Sequence, residues 1–248
     1  MNEWLSIFFN NLGLYNSIIS RNLSTTFNSE PLGNYIKIIG GYAFKSSEYK
    51  KSGIPVIRIS DFQNEKIDLS DVKCYDESDD LKSYELIEGD IIIAMTGGTI
   101  GKLAIVQSGL GKLYLNQRVG KFKVLSPDSF ESEYVYWIAR GVESKIKELA
   151  WGAAIPNVSG KQIESINFVF PSKETQLKII SFLNDLRDNN LKSEEYFNSQ
   201  TESEIIQIQN SSIKKTLLIT EFNNQLALLK QIRQQILQDA IQGKLVRQ

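Results

Sequence analysis

The sequence predicts an α+β protein: a mixed α/β globular head followed by long C-terminal helices. Three observations predict it. Between residues 30 and 171, short runs rich in Ile, Val, Phe and Tyr alternate with Gly, Pro, Asp and Ser, the pattern of strands joined by turns. One segment inside that region switches to a helical period. After Pro171 there is no proline, and the only glycine is Gly243, near the end. The expected organisation is an N-terminal amphipathic helix and linker over 1–29, a globular domain over 30–171, and a long helical region over 172–248.

The elements follow in order. "MNEWLSIFFNNLGLYNSIIS" places Trp4, Phe8, Leu12 and Tyr15 at helical spacing. It has no lysine or arginine and no unbroken apolar core, unlike a signal peptide. No run approaches the ~20 apolar residues of a membrane span, so a cytoplasmic protein is expected. The expected strands are "YIKIIGG", "IPVIRIS", "DIIIAM", "KLAIV", "RVGKFKVL" and "INFVFP". "SFESEYVYWIARGVESKIKELAW" lines up Tyr134, Trp137, Ile138, Val142, Ile146 and Leu149 on one helical face, with Ser129 as the expected cap. Ser172 starts a capping-box-like turn into a helix carrying Leu177, Ile180, Leu183 and Leu186. A polar stretch near 198–203 is expected to break it. A second helix then carries Leu218, Phe222, Leu226, Leu229, Ile232, Ile236 and Ala240, with Gly243 as its C-cap. Amphipathic helices must cover their apolar faces, so these are expected to pack on each other, on a second copy or on a partner.

Composition removes many mechanisms. With no histidine and one cysteine, Cys74, there is no Ser-His-Asp triad, Cys-His pair, His-metal triad or internal disulfide. A net charge of −1 gives no global nucleic-acid signature. "GDIIIAMTGGTIGKLAIV" has the outline of a strand entering a phosphate loop. A Walker A loop, however, needs glycine where Thr96 stands and a hydroxyl where Leu103 stands. The local reading is a β-hairpin in which Gly97 and Gly98 supply positive φ.

Four segments matter together: "GGYAFKSSEYKKSGIPVIRISDFQ", "GDIIIAMTGGTIGKLAIV", "LNQRVGKFKV" and "GAAIPNVSGKQIESINFVFPSKETQLKIISFLNDL". In this order, and with "LLKQIRQQILQDAIQGKLV" behind them, they resemble one target-recognition domain and the helical spacer of a type I restriction–modification specificity (S) subunit. The resemblance covers roughly residues 30–245. A full S subunit has two recognition domains and two long spacer helices, so this chain resembles a half-subunit. The resemblance implies a non-catalytic, sequence-specific DNA-recognition subunit that reads one half of a bipartite target. It implies double-stranded DNA and DNA methyltransferase (M) subunits as partners, a restriction (R) subunit that can also join, and a homodimer through the C-terminal helices. S-adenosylmethionine is expected on the M subunit, with no cofactor and no metal in this chain. The dimer or partner interface is expected at Leu177, Ile180, Leu183, Leu218, Phe222, Leu226, Leu229, Ile232 and Ile236.

DNA contacts are sought where charge and readout chemistry coincide. Residues 91–127 hold five basic side chains, Lys102, Lys112, Arg118, Lys121 and Lys123, and no acidic one. Strand alternation puts Lys121 and Lys123 on one face. Thr96, Gly97, Gly98 and Thr99 at the glycine turn could meet phosphate, with Lys102 adding charge, or could simply turn the chain. Asn116, Gln117 and Arg118 have the chemistry of base readers, although the two amides could equally satisfy buried backbone. Tyr42, Phe44, Lys45, Arg58 and Ser60 are further candidates, with a core role as the alternative for the aromatics. Ser159 and Lys161 are weaker ones. "DESDD" at 76–80 lacks calcium-loop spacing and reads as a solvated loop.

Two rivals come from other classes. Asp128, Glu143 and Lys145 match a Pro-Asp…Glu-x-Lys metal-nuclease pattern. Such a site needs Glu-x-Lys on a strand, and here the pair falls in a periodic helix. The other rival is a helical scaffold whose head binds protein rather than DNA.

Overall fold

A computed structural model describes residues 29–149, 157–187, 217–218, 220–236 and 238. The chain divides into two compact units, Met1–Tyr196 and Phe197–Gln248. The N-terminal helix expected around Trp4, Phe8, Leu12 and Tyr15, the break near 198–203 and the Gly243 cap lie outside the described residues.

The strands in chain order are β1 (Ser29–Pro31), β2 (Ile36–Gly40), β3 (Ile54–Ile57), β4 (Phe62–Gln63), β5 (Lys66–Ile67) and β6 (Lys73–Tyr75). They continue with β7 (Glu85–Leu86), β8 (Ile91–Ala94), β9 (Leu103–Ile105), β10 (Leu113–Leu115), β11 (Val119–Val124) and β12 (Asn167–Val169). Helices α1 (Ser132–Leu149), α2 (Gly160–Glu164) and α3 (Lys173–Arg187) complete the first unit's described elements. One four-stranded sheet runs β2-β11-β8-β9, antiparallel throughout. The other runs β6-β3-β10-β7, with β3 and β10 parallel. Two small pairs, β1–β12 and β4–β5, flank them.

All four residues of β8 are buried, as a continuous apolar strand covered on both faces requires. Ile92 and Ala94 join Ile57, Leu113, Leu115 and Val119 in a cluster that fuses the two sheets. α1 lies against β8 and β9. Its expected face is realised: Tyr134, Trp137, Ile138, Val142 and Ile146 are all at most 1% exposed. Fully burying each such side chain stabilises the fold by about 1.5–3 kcal/mol. Ser129 is not the cap. It sits in a 3-10 turn, Pro127–Ser129, and the helix begins at Ser132.

The glycine turn is a β-hairpin: Ile91 faces Ile105 and Ile93 faces Leu103. Positive φ falls at Gly97 (+82°) and Gly101 (+84°), not at Gly98. The loop closes with Gly101 N–H donating to Ala94 O at 2.8 Å, so the second left-handed residue sits where the chain re-enters β9.

The helix after Pro171 corrects an expectation. Ile179, Ile180 and Leu183 are 3%, 7% and 0% exposed, covered by the chain itself rather than by a partner. The expected face holds at Ile180 and Leu183, but Ile179 rather than Leu177 completes it, and its occupant is the chain itself. α3 lies beside α1, and Gln176 locks the join. Its buried amide accepts from Glu131 N–H (2.9 Å) and donates to Ser129 O (3.0 Å) and Pro171 O (2.9 Å). Leu177 alone of the three expected interface residues on α3 is exposed. The boundary expected at 171/172 therefore falls inside the first unit. In the second unit, residues 220–236 are helical, and Leu218, Phe222, Leu226, Leu229, Ile232 and Ile236 are all exposed.

Candidate nucleic-acid interface

The link between β10 and β11 is a tight turn. Asn116 O accepts from Val119 N–H at 2.9 Å, which leaves Gln117 and Arg118 at the two corners. Asn116 is 8% exposed. Its Oδ1 accepts from Arg118 N–H at 3.2 Å, and its Nδ2 donates to Tyr49 Oη at 3.4 Å. The asparagine thus holds the turn rather than presenting itself. Gln117 and Arg118 are exposed.

The turn is clamped from behind by residues just after β2. Tyr42 N–H donates to Leu115 O (2.8 Å), and Gln117 N–H donates to Tyr42 O (2.9 Å). The approach is so close that a Cβ on Gly41 would lie 2.1 Å from Leu115 O. Only glycine fits there. Tyr42 is 38% exposed, its ring edge-on to Phe44 at 5.0 Å.

Beside the turn opens a cleft of about 510 Å³, bordered by Phe44, Tyr49, Arg58, Ser60, Gln117 and Arg118 among others. Arg58 reaches it from the end of β3. The buried Asp61, 5% exposed, holds that guanidinium in a fork, with Nε to Oδ2 at 2.8 Å and Nη2 to Oδ1 at 2.7 Å. Ser60 Oγ also donates to Asp61, at 2.8 Å, and Arg58 N–H donates to it at 2.9 Å. The carboxylate raises the Arg58 pKa above its ordinary value, so the charge is permanent. Removing one partner of such a pair costs about 3–5 kcal/mol. Burial raises the phenol pKa of Tyr49, which keeps it neutral as a hydrogen-bonding wall.

The cleft therefore gathers Phe44, Arg58, Ser60, Asn116, Gln117 and Arg118 from the sequence candidates. Tyr49 and Asp61 were missed. Asp61 stands three residues after Arg58, a spacing that could have signalled the pair.

The remaining lysines behave differently. Lys102 points inward: Nζ donates to Ile59 O at 2.6 Å and lies 4.6 Å from the centre of the Phe62 ring, and desolvation lowers its pKa. Lys112 is held by Glu77 (2.6 Å) and Glu85 (3.2 Å). Lys121 donates to Glu85 O (2.9 Å) and Asp90 (3.1 Å). Lys123 shares its strand face and is exposed. Lys45 is paired with Glu48 at 3.1 Å on the surface. At the glycine turn, Gly98 and Thr99 are exposed, while Thr96 bridges to Asn157. Ser159 caps α2 through Gln162. The acidic run takes part in the pairing too, with Asp76 on Lys50 and Glu77 on Lys112.

The nuclease pattern lacks its context. Glu143 lies on α1, where its carboxylate is bound at 2.6 Å by Arg140, a guanidinium 4% exposed that also holds Glu65 at 2.8 Å. Asp128 sits in the turn before that helix. Among the described residues no group of three or more Cys, Asp or Glu is placed to hold a metal ion, and no helix is long and apolar enough to cross a membrane.

Known proteins agree with this architecture. The chain is 28% identical over 160 residues to the EcoAI type I restriction enzyme specificity subunit of Escherichia coli, covering 62% of this chain and 27% of that protein. It is 28% identical over 159 residues to the StySPI specificity subunit of Salmonella potsdam, covering 61% and 34% respectively. Those alignments span about a quarter to a third of the relatives' length. Among solved structures, the HsdS subunit from Thermoanaerobacter tengcongensis superposes with a TM-score of 0.51 at 15% identity, over 85% of this chain and 52% of that one. A chain from a structural study of complex assembly and conformational transition of the type I R-M system superposes with a TM-score of 0.52 at 18% identity, over 76% and 45%. The model of the type I restriction modification DNA specificity domain matches residues 26–203, well over half of the chain, and the chain belongs to that family.

Proposed function

We propose that this chain is the DNA-recognition component of a type I restriction–modification system, reading one half of a bipartite duplex target. The observation that carries the reading is the exposed Gln117–Arg118 corner, held on a rigid turn beside a cleft that also contains Arg58. Glutamine and arginine are the side chains that match adenine and guanine edges in the major groove. The chain does no chemistry itself. It positions methyltransferase subunits, which carry S-adenosylmethionine, and a restriction subunit can join them in the cytoplasm.

The domain reading becomes a recognition head with α3 included, followed by a helical spacer. The stripe Leu218, Phe222, Leu226, Leu229, Ile232 and Ile236 pairs with a second copy, which supplies the other half of the reader. Six exposed apolar side chains at helical spacing support this.

Two measurements test the proposal. The mass of the purified chain in solution, alone and with its methyltransferase subunit, is expected to show a dimer that captures that subunit. A persistent monomer that captures nothing would overturn the half-subunit reading. Duplex binding by the complex is expected to weaken steeply with salt. Binding that ignores salt would favour the protein-binding scaffold, a reading supported by the internal pairing of Lys102, Lys112 and Lys121.

A further inference from the structure

Arg58 and Arg118 border one cleft but differ in which of their donors are free. A guanidinium has five N–H groups and two edges that present a parallel pair: Nε with Nη2, and Nη1 with Nη2. Reading guanine through O6 and N7 needs one whole edge. In Arg58 the first edge is filled by Asp61, with Nε to Oδ2 at 2.8 Å and Nη2 to Oδ1 at 2.7 Å. The second edge is broken because Nη2 also donates to Asp71 O at 3.2 Å. Only Nη1 remains, and its two hydrogens diverge. Arg118 is the opposite case. It is exposed at a turn corner, and its backbone, not its side chain, is tied down by Asn116.

We infer that the two arginines divide the work: Arg118 reads a guanine through its free guanidinium edge, while Arg58, fixed by Asp61, makes a single-point contact to a backbone phosphate and sets register. This rests on the DNA-reading function proposed above. Asp61 is a positioning residue, acting only through Arg58. A charge held by a buried carboxylate and the nearby turn cannot follow a base edge, but it is a rigid peg for a phosphate oxygen.

The experiment uses the full chain in complex with its methyltransferase subunits and a randomised duplex library, comparing the selected motif and the salt dependence of binding. Arg118→Ala is expected to flatten the motif at one guanine and leave the other positions intact, with a roughly 10- to 100-fold loss on the wild-type site. Arg58→Ala alone would strand the buried Asp61 carboxylate and threaten folding. The test variant is therefore Arg58→Met combined with Asp61→Asn, whose amide oxygen still accepts from the residue 58 N–H while its Nδ2 donates to the Ser60 hydroxyl. It is expected to select the unchanged motif with uniformly weaker binding, and to lower the slope of log K against log salt by about 1.

An Arg118→Ala complex that selects the wild-type motif, or an Arg58→Met/Asp61→Asn complex that loses preference at one base, would overturn the division. A wild-type complex that enriches no motif would overturn the DNA-reading function itself, a distinct result seen before any variant is made.

Discussion

The basic stretch around β9–β11 and the turn inside it carry the same kind of charge in opposite states. Lys102, Lys112 and Lys121 are engaged by the protein's own carbonyls and carboxylates. Arg118, in the middle of that stretch, is exposed at a corner whose backbone is fixed on three sides. The difference teaches that a count of cations along a sequence measures charge, not available charge. Lys102, Lys112 and Lys121 meet acceptors from other segments, whereas Lys123 on β11 and Arg118 at the turn corner stay exposed.

The comparison breaks most severely at Gly41. Gly41→Ala places a methyl against Leu115 O and Asn116, so the clamp and the turn cannot both keep their places. A loss of about 2–4 kcal/mol in unfolding free energy is expected, in the range of severe backbone clashes, with specific DNA binding lost. A melt unchanged from wild type would show that the close approach is not needed. Asn116→Ala is the next test. It removes the acceptor for Arg118 N–H and the contact to Tyr49. The cost in stability is expected near 1–2 kcal/mol, with roughly tenfold weaker specific binding and little change in non-specific binding. Equal loss on all sequences would mean the turn's shape does not set readout. Lys121→Met has a smaller expected effect on DNA than on the fold: about 1–3 kcal/mol less stability, because Asp90 loses its counter-charge and keeps the Ile87 N–H, and affinity within about twofold. Lys112→Met is expected to change duplex affinity by no more than about twofold, because Lys112 is already held by Glu77 and Glu85. A large affinity loss in either lysine variant would return those residues to the interface.

Legibility followed the same division. The apolar runs at β2, β3, β8, β9, β11 and β12 were readable because burial forces their composition. β4, β5 and β7 are two residues each and leave no period to read. Gln117 and Arg118 stand out in the sequence by side-chain chemistry, but their exposure at a turn corner depends on contacts from Tyr42 and Asn116 that no local pattern carries. The pairing of Lys102 was not readable, because its acceptor, Ile59 O, comes from a segment far back in the chain. The periodicity of α3 picked out Ile180 and Leu183 but put the exposed Leu177 on the same face and left out the buried Ile179, and a period cannot say whether a face meets its own chain or another. Ile180 and Leu183 met their own.

The parallel pairing of β3 with β10, together with β2 on β11, means that the turn is held by partners from much earlier in the chain. Contacts of such long range close late in folding, after their loop entropy has been met. A chain that ends before β11 has the clamp but nothing to hold. The shape of the 116–119 turn is therefore a property of the completed head and not of those four residues.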